Sequence, residues 1–108
     1  MTTDKYRVLL VDDDHSLLRL LSMRLTAAGY AVTICFVDRG ETAERAVAEA
    51  LARDRYDAVM VGAGVRKDDE QFLLFEKLIN VIHRHAAKAA ICFNTGPTDS
   101  AAAVQRWL

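Results

Sequence analysis

Asp12, Asp13 and Asp14 stand in a row directly after the apolar run Val8-Leu9-Leu10-Val11. Clustered carboxylates suit a hard divalent cation, which prefers oxygen ligands, so Asp12 and Asp13 are candidate ligands for weakly held Mg²⁺ or Ca²⁺. The competing use is structural. Asp14 or Ser16 caps a following helix, and acids near its start interact with its dipole by roughly 0.3 to 1 kcal/mol each. Gly62-Ala63-Gly64 is the second candidate. Glycines after a strand let backbone amides approach a phosphate, and Arg66 and Lys67 follow as phosphate partners. Gly62, Gly64, Arg66 and Lys67 thus define an anion- or nucleotide-binding reading. Against it, the third position of the dinucleotide fingerprint falls on Lys67, and an acidic stretch follows where a helix should begin. A plain turn accounts for the same residues.

The histidines do not assemble a centre. His83 and His85 are two residues apart in a helical pattern, about 200° around the axis, and cannot share one ion. His15, beside the acids, is either an extra metal ligand or a solvated loop residue. No Ser/His/Asp or Cys/His set gathers at one strand end, so no catalytic residue is assigned and no enzymatic activity is expected.

The elements that must position these residues follow from periodicity. Tyr6 to Val11 reads as a first strand. Apolar residues from Leu17 to Leu25 then recur at helical spacing, giving a helix from about Ser16 to Ala28 with Gly29 at the end that favours positive φ. Ala31 to Val37 is β-branched and aromatic and reads as a second strand, followed by a turn at Asp38-Arg39-Gly40. A second helix spans about Glu41 to Arg53, and Ala58 to Val61 is the third strand. Asp69 to His85 reads as a third helix whose apolar arc is wide enough to imply burial against more than one neighbour. Ala89 to Phe93 is a fourth strand. After the turn Asn94-Thr95-Gly96-Pro97, Thr98 or Asp99 caps a short helix ending at Trp107-Leu108.

Four strands alternating with four helices imply parallel pairing through right-handed crossovers. The expected fold class is α/β: a flavodoxin-like three-layer sandwich, a single domain over residues 1–108, with strand order 2-1-3-4. The strands delivering Asp12 and Gly62 are then neighbours, and the carboxyl ends of such strands are where ligands gather.

Bulk properties narrow the partners. A net charge of −1 supplies no field for nucleic acid or an anionic membrane surface. No run approaches the roughly 20 apolar residues of a membrane span, and the polar start Met1-Thr2-Thr3-Asp4-Lys5 lacks an apolar signal core, so a cytoplasmic location is expected. Cys35 and Cys92 sit in apolar runs without metal spacing and read as buried hydrophobes. The fourth strand, as an edge with almost no protective charge, predicts a homodimer. The alternative is that the final helix folds over that edge.

The stretch from Arg7 to Val37 resembles the receiver domain of bacterial two-component response regulators. Asp12 and Asp13 match the paired acids that hold a divalent metal there, and Leu17 to Gly29 matches the family's first helix. The resemblance implies a phosphoacceptor aspartate at the end of the third strand, but that position falls on Gly62, which cannot be phosphorylated. Asp57 matches a non-acceptor aspartate that opens the strand, while Asp68 and Asp69 lie six or seven residues beyond its end. Thr95 falls where receivers sense the phosphoryl group; bonding backbone within a turn is the simpler role. The family's fifth strand, with its lysine, and fifth helix have no counterpart up to Leu108. From about Arg55 onward the chain also resembles small α/β proteins without established activity, sharing a Gly-Ala-Gly turn, a Phe-Asn-Thr turn and a terminal Arg-Trp-Leu. Divergence, recombination and engineering all account for the mismatch between the halves. The expected function is that of a pseudo-receiver: a non-catalytic domain acting by protein interaction or as a scaffold.

Overall fold

The computed structural model describes residues 5–38, 42–66 and 69–108. At its centre is strand β1 (Arg7–Asp12), paired in parallel with β2 (Ala31–Phe36) on one side and β3 (Ala58–Val61) on the other, with β4 (Ala90–Cys92) beyond β3. The order β2-β1-β3-β4 is the expected one. Val8 lies opposite both Val32 and Ala58, which sets the register of the three longer strands. Both central strands read as unbroken apolar runs because helices cover both faces of a parallel sheet.

Alternation along the strands assigns side chains to two cores. Leu9, Val11, Val59 and Val61 pack with Val47 and Ala50 of helix α2 (Thr42–Arg53). Also in this layer are the short helix α3 (Ala63–Arg66) and α4 (Phe72–His85), which contributes Leu78 and Ile82. Val8, Leu10 and Met60 pack on the other face, against Leu18, Leu21 and Leu25 of α1 (His15–Ala27) and Ala103 and Val104 of α5 (Ser100–Gln105). The domain is a flavodoxin-like α/β sandwich of three layers.

Helix α1 shows how local sequence sets an element. Asp14 is its N-cap, with Oδ1 accepting the Leu17 N–H at 3.0 Å. The helix starts one residue earlier than periodicity suggests because Asp14, not Ser16, takes the capping role. At the other end Gly29 adopts φ 101°, the Gly29 N–H donates to Thr26 O and the Tyr30 N–H donates to Leu25 O. This pair of bonds closes the helix in a Schellman arrangement, and the buried Tyr30 packs in the same cluster as Leu25.

The second half departs from expectation in four places. A helical turn, α3, follows β3 at once where a plain turn was expected. The expected helix from Asp69 is a 3-10 turn at Asp69–Gln71 that leads into α4. Although α4 packs on both α2 and α3, Phe72 and Leu73 remain exposed at 63% and 58%, so its apolar arc is not fully buried. Pro97 opens a second 3-10 turn, and α5 ends at Gln105, because the N–H groups of Trp107 and Leu108 both return to Val104 O. The turn expected at Asp38-Arg39-Gly40 and the start expected at Glu41 lie partly outside the described residues.

Candidate functional site

The carboxyl ends of β1 and β3 meet as the strand order requires. The Gly62 N–H donates to Val11 O at 2.8 Å, which seats the start of the Gly62-Ala63-Gly64 turn against Asp12. Asp12 is completely buried, and its side chain occupies the space beside Gly62. A Cβ on Gly62 would overlap the Asp12 carboxyl group and would lie 3.0 Å from the Asp12 Cβ. A Cβ on Gly64 would lie 2.6 Å from Asp13 Oδ1 and 2.7 Å from Asp12 Oδ1. Both carboxyl groups are therefore folded onto the glycine turn.

Both uses read from the sequence, the anion loop and the plain turn, need this open backbone. The glycines provide it, as expected, but what enters the opening is Asp12 and Asp13. Two carboxylates pressed on the turn oppose a phosphate by like-charge repulsion. Arg66 closes α3, and Lys67 and Asp68 lie outside the described residues. Asp69 begins the 3-10 turn and is exposed.

The acids interact closely with one another. Asp12 Oδ1 accepts the Asp13 N–H at 2.7 Å, while Asp12 Oδ2 is buried with no hydrogen-bond partner among the described residues. Burial raises the Asp12 pKa to about 6 from its ordinary 3.8; the bond from the Asp13 N–H works against this, and the Asp13 and Asp14 carboxyls add to it. As cation ligands, Asp12 and Asp13 converge and offer an orphaned oxygen, which fits a hard ion. Among the described residues, however, no group of three His, Cys, Asp or Glu completes a metal-holding set. Such an ion would neutralise charge on the two acids. Asp14 is committed to capping α1.

His15 is the first residue of α1, not a loop residue, and its ring stacks on Phe36 at 3.7 Å between centroids. His83 and His85 are exposed in the last turn of α4. Thr95 is held in its turn, with a side chain where the simpler reading expects backbone. Its hydroxyl donates to Asp99 Oδ2 at 2.7 Å and its N–H also reaches the Asp99 carboxyl. The Thr95 hydroxyl leads the interactions that hold Asp99 below the usual carboxylate range.

Sequence reading passed over Asn94, which is buried after β4 and whose Nδ2 donates to Gly96 O and Ser100 Oγ, both at 3.2 Å. Its signal was the run Asn94-Thr95-Gly96-Pro97-Thr98-Asp99, dense in residues that bond their own backbone. Cys35 and Cys92 are free, buried thiols, and burial raises both pKa values. No helix among the described residues is long and apolar enough to cross a membrane. No protein-family model matches the chain, and no curated protein matches it.

Proposed function

We propose that this chain is a pseudo-receiver: a non-catalytic, receiver-like domain that acts through protein contacts. The observation that carries the reading is the overlap between a Cβ at Gly62 and the Asp12 carboxyl group. At the strand end where a receiver carries its phosphoacceptor, this chain has no acceptor side chain, and the Asp12 carboxyl group occupies the space that a Cβ would take. The paired acids are retained but turned inward against the glycine turn, and any Mg²⁺ binding is weak. A cytoplasmic setting goes with this reading, as does the presence of two unpaired thiols.

The contacts proposed are with a second copy. Strand β4 has β3 on one side and no strand on the other among the described residues. Helix α5 packs on the sheet face with Cys92 and α1, and its extension reaches the residue after β4 through Arg106 Nη2, which donates to Phe93 O at 3.1 Å. Near this edge the Phe75 and Phe93 rings lie 5.8 Å apart, and Phe72 one turn earlier on α4 is exposed. An edge with no strand partner among the described residues, flanked by exposed Phe72 and the partly buried Phe75 and Phe93, favours association.

Incubation with Mg²⁺ and acetyl phosphate, read by intact mass, tests the loss of phosphoacceptor function. The mass stays that of the unmodified chain, and Trp107 fluorescence does not change with beryllofluoride. A covalent phosphoryl adduct would overturn the proposal.

A further inference from the structure

At the amino-terminal end of the sheet, opposite the acids, the last turns of α2 and α4 flank a cleft of about 220 Å³. Leu51, Tyr56 and Ala89 supply apolar surface within it, while Arg55, His85 and Lys88 bring three basic side chains to its wall. Asp54 also lines it, but its Oδ1 is 3.0 Å from Arg7 Nη2. The nearby Asp57 accepts the Arg7 backbone N–H through Oδ2 at 2.7 Å. Arg55, His85 and Lys88 form no ion pair with a described acid. The α2 and α4 dipoles direct their negative ends here, but Arg53 and Arg84 in the same last turns already face them with positive charge. The basic groups of the cleft are therefore in excess over what the helix ends call for.

We propose that this cleft binds a small organic anion: a carboxylate or phosphate monoester carried on one ring-sized apolar body. The volume falls below the roughly 300 to 1,000 Å³ of drug-sized sites, which limits the body to about one ring. The ring lies on Leu51, Tyr56 and Ala89, and the anionic group meets Arg55 and Lys88, whose donors form charge-assisted hydrogen bonds with it. The site is independent of the acids at Asp12 and of the pseudo-receiver reading.

The test is an amide-detected NMR titration of the full chain with phenylacetate, phenyl phosphate, neutral phenylacetamide and inorganic phosphate. At least one ring-bearing acid shifts the amides of Arg55, Tyr56 and Ala86 to Ala89 saturably, whereas phenylacetamide and inorganic phosphate bind about tenfold more weakly or not at all. Tighter binding of phenylacetate or of phenyl phosphate assigns the acid group. The double variant Arg55→Ala/Lys88→Ala weakens binding about fivefold or more, as expected for the loss of two solvent-exposed charge contacts. If that variant unfolds, the comparison of phenylacetate with phenylacetamide on the unmodified chain decides. Absence of saturable shifts with both ring-bearing acids, equal affinity for the neutral amide, or shifts centred on Asp12 and Gly62 overturns the proposal.

Discussion

The Asp12 carboxyl is buried, one of its oxygens lacks a hydrogen-bond partner among the described residues, and Asp13 and Asp14 adjoin it. Its pKa near 6 in the folded chain stands above the ordinary 3.8. The folded state therefore holds this proton more tightly than the unfolded state, and stability from this group is greatest below about pH 4 and falls as pH rises to about 6. The loss amounts to about 2 to 3 kcal/mol. Urea denaturation in the presence of EDTA should show that slope, and Asp12→Asn should flatten it. Asp99 acts in the opposite sense at lower pH: its depressed pKa makes its contribution fade as acid is added below the ordinary carboxylate range. At Gly62 the expectation is steric. Gly62→Ala destabilises by about 1 to 3 kcal/mol through overpacking, and adding Asp12→Ala recovers at least about 1 kcal/mol of it. The acids and the glycines were each visible in the sequence as unusual residues at strand ends. That the former fill the space left by the latter was not visible, because it depends on side-chain direction across two strands 50 residues apart.

At the scale of the element, α1 is controlled from its two ends. Asp14→Ala removes the bond to the Leu17 N–H and should lower stability by about 1 kcal/mol. Gly29→Ala meets no neighbouring atom among the described residues, where nothing lies within 4 Å of an added Cβ, so its effect comes from the backbone at φ 101°. The expected loss is about 1 to 2 kcal/mol, read from the same urea midpoints. These two signals act over three or four residues, which is why the bounds of α1 were nearly right from sequence. The single turn of α3 was missed because four residues are too few for a periodic pattern, and its place is set by contacts to β1 and α4. The split at Asp69–Gln71 was missed for a related reason: polar residues directly before an apolar period read as the first turn of the same helix, and three residues are too few to tell 3-10 from α geometry.

For the whole molecule, the open side of β4 and the exposed Phe72 and Trp107 lead to a prediction about assembly. Light scattering after size-exclusion chromatography should show a dimer for the unmodified chain. Phe72→Lys and Trp107→Ala should shift it to monomer while changing the melting temperature of the monomeric fold by only a few degrees, because both side chains are 63% exposed and add little to the core. A monomer at high protein concentration would count against the reading. Fold class and strand order were legible because they depend on properties that survive in one dimension: apolar runs of strand length, helical periodicity between them, and the right-handed rule that prunes the alternatives. Those same rules placed Asp12 beside Gly62 before any coordinates. Only the tertiary structure decided that the two acids turn inward onto the glycines, that Asp54 and Asp57 both bond to Arg7, and that Arg55, His85 and Lys88 surround a cleft. The physical reason is that burial, charge pairing and cavity shape arise from distances between residues far apart in the chain, whereas sequence patterns report only what each segment prefers locally.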